Sequence, residues 1–221
     1  MKRSKLARYI DHTLLKPDGT PAQVEHLCEE ALEHHFASVC VNPVFVPLAA
    51  AKLQGSDVEV CTVVGFPLGA TSTASKVCEA EIAIAQGATE IDMVQAVGLL
   101  KAGEHDRVRE DIAAVAAICH AHGAVLKVIL ENALLTDEEK KVACRLCQEA
   151  GADFVKTSTG FAKSGATIED VILMRAAVGP EMDIKAAGGI HAYEEALAMI
   201  EAGATRIGAS ASLTIIAGAP E

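Results

Sequence analysis

Lys127, Lys156 and Lys185 recur at an interval of 29 residues, each inside a short apolar run: Leu126-Lys127-Val128-Ile129, Phe154-Val155-Lys156 and Ile184-Lys185-Ala186-Ala187. An ammonium group on a covered strand is costly to desolvate, so three at one period point to chemistry that uses amines. An amine attacks a carbonyl only after losing its proton, and at an ordinary lysine pKa of about 10.4 fewer than about one in a thousand is free at neutral pH. Desolvation and a second cation both lower that value. Two ammonium groups about 6 Å apart repel by roughly 3 kcal/mol at an effective dielectric of about 20, or about two pKa units, and burial supplies more. Such a lysine forms a Schiff base, whose iminium withdraws electrons until a carbon–carbon bond one carbon away breaks to an enamine. Asp92, in Glu90-Ile91-Asp92-Met93-Val94 on the preceding strand, is placed for the accompanying proton transfers. Spacing alone leaves open which lysine is the nucleophile.

A second signal is independent of the lysines. Ala187-Gly188-Gly189-Ile190 follows the seventh candidate strand, and Ile207-Gly208-Ala209-Ser210-Ala211-Ser212 ends the eighth, just before a short apolar segment, Leu213–Ile216. Glycines there let backbone N–H groups approach an anion, and α/β barrels often bind phosphate in these two loops. Gly160 and Lys163 are expected to close the site from the sixth loop.

These residues need a scaffold that brings strand ends together. Short β-branched runs alternate with amphipathic stretches along the whole chain, which predicts a parallel sheet with helices outside. The strand candidates are Tyr9–Leu14, Ala37–Val41, Glu59–Val64, Glu90–Val94, Leu126–Leu130, Phe154–Thr157, Asp183–Ala187 and Arg206–Ala209, the eight that a (β/α)8 TIM barrel requires. Thr20-Pro21-Ala22-Gln23 and Thr136-Asp137-Glu138-Glu139 predict capped helix starts. Gly87, Gly123, Gly151 and Gly203 predict helix ends, each directly before a strand. An open doubly wound sheet would carry a G-x-G-x-x-G turn after its first strand, and none is there. The reading is one domain over residues 1–221, a TIM barrel with a short N-terminal extension. Its carboxyl-end face would gather Asp11, Thr13, Cys40, Asn42, Gly65-Phe66-Pro67, Asp92, the three lysines, Gly208 and Ser210.

Composition narrows the function classes. A formal charge of −11 with scattered Lys and Arg offers no basic face for nucleic acid or an anionic membrane. The seven cysteines, odd in number and set in apolar runs, suit reduced thiols in a cytosol. The opening Met1–Thr13 has no apolar stretch long enough for a signal peptide, and the expected location is the cytoplasm. Cys144 and Cys147 have redox-motif spacing but fall on one apolar stripe of a helix, so they read as core. Cys119, His120 and His122 close a helix without acidic supports, and no metal site is assigned. The apolar segment Val44–Leu53, read as exposed, suggests a homodimer. On the residues alone the readings are a Schiff-base lyase, a cofactor-free sugar-phosphate isomerase, or a non-catalytic phosphosugar-binding barrel.

The chain resembles class I deoxyribose-phosphate aldolase. The resemblance rests on Ile10-Asp11-His12-Thr13-Leu14-Leu15-Lys16-Pro17, Cys40-Val41-Asn42-Pro43, Gly65-Phe66-Pro67-Leu68-Gly69, Glu90–Val94, Leu126–Glu131, Val155-Lys156-Thr157-Ser158-Thr159-Gly160-Phe161, Lys185–Ile190 and Arg206–Ser210. It implies reversible cleavage of 2-deoxy-D-ribose 5-phosphate to D-glyceraldehyde 3-phosphate and acetaldehyde, without metal or organic cofactor, by a homodimer or homotetramer. It also implies that Lys156 forms the Schiff base, Lys185 lowers its pKa, and Asp92 moves protons with a water. Lys127 would support that network and Thr159 orient it, while Gly160, Gly188, Gly189, Gly208 and Ser210 would hold the phosphate. By the same resemblance Cys40 is open to attack by aldehyde products. Two departures stand out: His191 occupies a position where many members carry arginine, and the residues Ala217–Glu221 lack the tail tyrosine of some members.

Overall fold

Side chains along a strand point alternately to its two faces, and that period of two decides which of them face the barrel axis. In the computed structural model, which describes residues 1–221, eight parallel strands pair in chain order. They are β1 (Ile10–Leu14), β2 (Ser38–Val41), β3 (Glu59–Val64), β4 (Glu90–Val94), β5 (Val125–Ile129), β6 (Phe154–Lys156), β7 (Asp183–Ala187) and β8 (Arg206–Ala209). β1 pairs with β8 and closes the barrel. Every strand read from the sequence lies within one residue of these bounds.

The helices are α1 (Arg3–Ala7), α2 (Pro21–His34), α3 (Val46–Leu53), α4 (Thr73–Ala85), α5 (Val97–Lys101), α6 (His105–Ala121), α7 (Asp137–Glu149), α8 (Ile168–Val178), α9 (Tyr193–Glu201) and α10 (Ser212–Ala217). Thr20 with Gln23 and Thr136 with Glu139 form reciprocal capping boxes, so α2 and α7 start where their side chains satisfy the free amides. α1 is the N-terminal extension; the Arg3 amide donates to the Pro220 carbonyl at 2.8 Å, tying it to the end of the chain. No helix is long and apolar enough to cross a membrane.

The main hydrophobic core lies between barrel and helices, where outward residues such as Ile10, Val39, Ile91, Leu126, Val155 and Ile184 are fully buried. The lumen is different. Branched aliphatics ordinarily fill it, whereas here it holds buried Asp11, Glu90, Asp92, Lys127, Lys156 and Lys185, with half-buried Arg206 beside them.

Two expectations are corrected. Equal spacing predicts equal height for the three lysines, and Lys156 is indeed the register partner of Lys185. Lys127, however, pairs with Phe154, two residues nearer the amino end of β6 than Lys156. Closing a tilted barrel staggers its strands, so sequence spacing does not fix height. The segment Val44–Leu53 is exposed on one face only: Val46, Ala49 and Leu53 of α3 are buried, while Val44, at 76 % exposure, Pro47 and Ala51 face outward.

Candidate active site

Alternation on β4 to β8 sends Asp92, Lys127, Lys156 and Lys185 inward, and one carboxylate gathers all three amines. Asp92 Oδ2 accepts from Lys156 Nζ at 2.8 Å and from Lys185 Nζ at 2.7 Å, while Oδ1 accepts from Lys127 Nζ at 2.8 Å. Lys185 also pairs with Asp11 Oδ2. Lys127 reaches Glu90 Oε2 at 2.6 Å. Arg206 Nη1 bridges Asp11 at 2.6 Å and Glu90 at 3.0 Å. Beneath this layer the Phe154 ring lies 5.5 Å from the Arg206 guanidinium and 5.8 Å from Lys127 Nζ, a π face turned to two cations.

The charges nearly cancel. Four cations, Lys127, Lys156, Lys185 and Arg206, meet three carboxylates, Asp11, Glu90 and Asp92, leaving one net positive charge inside the barrel. The bare repulsion of two ammonium groups expected from sequence is therefore mediated by the carboxylate that Lys156 and Lys185 share. Burial alone would raise the Asp92 carboxyl, but Lys127, Lys156 and Lys185 outweigh it and hold it well below the usual carboxylate range. Burial likewise opposes the charge on Lys185, and Asp11 and Asp92 outweigh it, holding that ammonium above the ordinary lysine range. Lys127 is raised in the same way, chiefly by Asp92 against burial.

This electrostatic arrangement makes a prediction for acid stability. Asp11 and Asp92 are depressed in the fold, so the unfolded chain takes up their protons first. Their contribution is complete above about pH 4 and is lost as the pH falls from there toward their folded values. The urea midpoint should fall steadily below about pH 4; a midpoint unchanged across that range would contradict the network.

Above the cluster opens a cavity of about 510 Å³ lined by Thr13, Lys16, Lys156, Thr159, Gly160, Phe161, Gly188, Gly189, His191, Gly208 and Ser210 among others. Of the three lysines only Lys156 lines it. The five residues expected at the phosphate all border the same space as that amine. Gly188 and Gly189 adopt φ of 86° and 78°, and the Gly188 carbonyl accepts from the Ala166 amide at 3.0 Å. A side chain at Gly165 would collide with that carbonyl at 2.1 Å, so the sixth loop packs directly on the seventh. At Gly208 a Cβ would stand 3.0 Å from Lys185 Cε, and the bare backbone there leaves room for the lysine.

Other residues fall differently from expectation. Thr159 lines the cavity, but its hydroxyl donates to Glu131 Oε2 rather than to the lysine–aspartate cluster. Lys163 is exposed and is not part of the cavity wall; Phe161 closes that side, edge-on to Phe66 with ring centroids 5.3 Å apart. Cys40 is buried beside Cys61, whose hydrogen bond lowers the Cys40 thiol pKa against the effect of burial. Cys144 and Cys147 pack in the core. His120 does have an acidic neighbour, Asp153 at 3.1 Å, brought in by the end of α6 folding over the start of β6.

Sequence reasoning passed over Glu90, Arg206, Cys61 and Glu131, and gave Asp11 a place but no role. Period two could have found the first two, since Glu90 stands two residues before Asp92 and Arg206 two before Gly208, on the same inward faces. Cys61 donates to Asp92 Oδ1 at 3.2 Å and lies 3.4 Å from Lys127 Nζ. Glu131 is buried in a left-handed turn at φ 57°, which no local pattern announces.

Comparison with known proteins agrees with this geometry. A family model described as DeoC/LacD family aldolase matches residues 5–218. A deoxyribose-phosphate aldolase of Brevibacillus brevis is 59% identical over 212 residues, covering 96% of this chain and 95% of the relative. Another, of Caldanaerobacter subterraneus subsp. tengcongensis, is 58% identical over 212 residues, covering 96% and 92%. Among solved structures, the tetrameric deoxyribose phosphate aldolase of Aeropyrum pernix superposes with a TM-score of 0.92 at 33% identity, over 97% of this chain and 91% of that one. With relatives of that identity along nearly its whole length, the chain belongs to the DeoC/LacD aldolase family.

Proposed function

We propose that the chain is a class I aldolase that cleaves 2-deoxy-D-ribose 5-phosphate reversibly to D-glyceraldehyde 3-phosphate and acetaldehyde, with Lys156 as the Schiff-base residue. The observation that carries the choice of lysine is the cavity wall: Lys156 is the one amine of the cluster that reaches it, and it has a single carboxylate partner. Lys127 and Lys185 lie behind it, each held by two or more carboxylates. Taking one proton from the cluster makes it neutral, and burial favours the neutral whole. Lys156 has the fewest carboxylate partners of the three and is the one that a substrate in the cavity meets.

The amine of Lys156 attacks the sugar aldehyde, and loss of water leaves an iminium. Deprotonation of the hydroxyl on the third carbon then breaks the bond between the second and third carbons, releasing the phosphorylated aldehyde and an enamine. Protonation of the enamine and hydrolysis return acetaldehyde and the amine. Asp92, already hydrogen-bonded to Lys156, takes and returns protons with a water, and Lys185 keeps a cation beside the reacting nitrogen. The backbone at Gly160, Gly188, Gly189 and Gly208, with the Ser210 hydroxyl, holds the phosphate, and the exposed ammonium of Lys16 lines the same cavity. The likeness to a tetrameric relative supports a homo-oligomer, dimer or tetramer, and buried free thiols suit a cytoplasmic setting.

Borohydride reduction in the presence of acetaldehyde tests the proposal. A stable mass increase located on Lys156 is expected; an adduct on Lys127 or Lys185, or none under turnover conditions, would overturn it.

A further inference from the structure

One buried histidine is not used by this chemistry. His12 lies on β1 between the inward residues Asp11 and Thr13, so its ring points out of the barrel, where it is 3% exposed and packs on Phe36 at 5.0 Å. Both ring nitrogens have partners from distant parts of the chain. Nε2 lies 2.7 Å from Glu30 Oε2 on α2, and Nδ1 lies 2.8 Å from the hydroxyl of Ser212, the first residue of α10. A carboxylate only accepts, so Nε2 carries the proton and Nδ1 of the neutral ring is left to accept from Ser212. Burial, the largest influence, pushes the ring toward that neutral form. Glu30 is itself steadied by His26 at 3.2 Å.

Ser212 is fully buried, and its oxygen also lies 3.0 Å from the Ala209 carbonyl, so its single proton is shared between that carbonyl and Nδ1. It holds together the end of β8 and the start of α10, the stretch in which Gly208, Ala209 and Ser210 line the cavity. The Glu30–His12–Ser212 chain ties this turn to β1 and α2 at a point that the cavity does not reach, which rules out a nucleophilic serine and leaves a structural coupling to the substrate.

We infer that His12 is a positioning residue for substrate phosphate: through Ser212 it fixes the turn whose backbone and Ser210 hydroxyl meet the phosphoryl group. The inference rests on the phosphate placement proposed above and adds a residue outside the cavity to it.

The test compares kinetics on 2-deoxy-D-ribose 5-phosphate and on 2-deoxy-D-ribose, together with inhibition by inorganic phosphate. Ser212→Ala and His12→Gln, which removes the Nδ1 contact while keeping an amide near Glu30, should each raise KM for the phosphorylated sugar about tenfold with little change in kcat. Each should weaken inhibition by inorganic phosphate by a similar factor, and the double variant should do no worse than either single one. His12→Asn, whose amide can still meet Ser212, should recover most of the loss. Equal losses of kcat on both sugars, or additive effects in the double variant, would overturn the role of His12. A wild-type protein that shows no preference for the phosphorylated sugar and no phosphate inhibition would instead overturn the phosphate placement itself, and that is read before any variant is made.

Discussion

Lys156→Met should abolish aldol cleavage, lowering kcat by about 10⁴-fold or more, as removal of a covalent nucleophile does, while leaving the fold as stable as before. The second half of that expectation is the unusual one. Cutting one partner out of a buried ion pair ordinarily costs about 3–5 kcal/mol because a charge is left uncompensated. Here the cluster carries one cation in excess, and Lys156 is the member with a single carboxylate contact, so its loss leaves three cations facing three carboxylates. Asp92 keeps Lys127 on one oxygen and Lys185 on the other. Urea unfolding of the variant should give a midpoint equal to or above that of the parent. A large loss of stability would show that the charge count is wrong, and retained turnover would remove Lys156 from the chemistry.

Lys185→Leu should behave in the opposite way on stability and shift the pH profile. Asp11 keeps Arg206 on Oδ1 at 2.6 Å, but its buried Oδ2 loses its close donor, so a destabilisation of about 1–3 kcal/mol is expected. With Lys185 gone, the reacting nitrogen loses the cation beside it, and the optimum for cleavage should move upward as kcat falls by about 10²-fold or more. An unchanged optimum, measured on folded variant across the same pH range, would mean that Lys185 does not set the protonation of its neighbour.

The fold was legible because the outward faces of most strands carry branched apolar residues and the turns are marked by glycine and capping residues. Lys127 shows what pattern reasoning could reach: Leu126 and Val128 mark its strand, and the ammonium group between them marks the inward face. Its height could not be read, since stagger arises from closure of the whole ring. The site was legible as a list of inward residues at strand ends, and the cavity does bring Lys156, Gly160, Gly188, Gly189, Gly208 and Ser210 together. What sequence could not supply was the counter-charge. Glu90 and Arg206 begin their strands with no pattern to pair them, yet they meet across the lumen at 3.0 Å from positions 116 residues apart in the chain. Glu131 escaped for a different reason, a left-handed backbone at a residue type that rarely adopts it.

The ion-filled lumen also constrains how the chain can evolve. In a barrel packed with aliphatic side chains, one residue at a time can be exchanged for another of similar volume. Here each exchange of a lumen carboxylate for a hydrocarbon adds to the one excess positive charge in the interior, whereas loss of one cation leaves three facing three. Drift at Asp11, Glu90 and Asp92 therefore has to proceed by matched replacements, such as Glu90 together with Lys127, and descendants of this sequence should vary there in pairs or hold still.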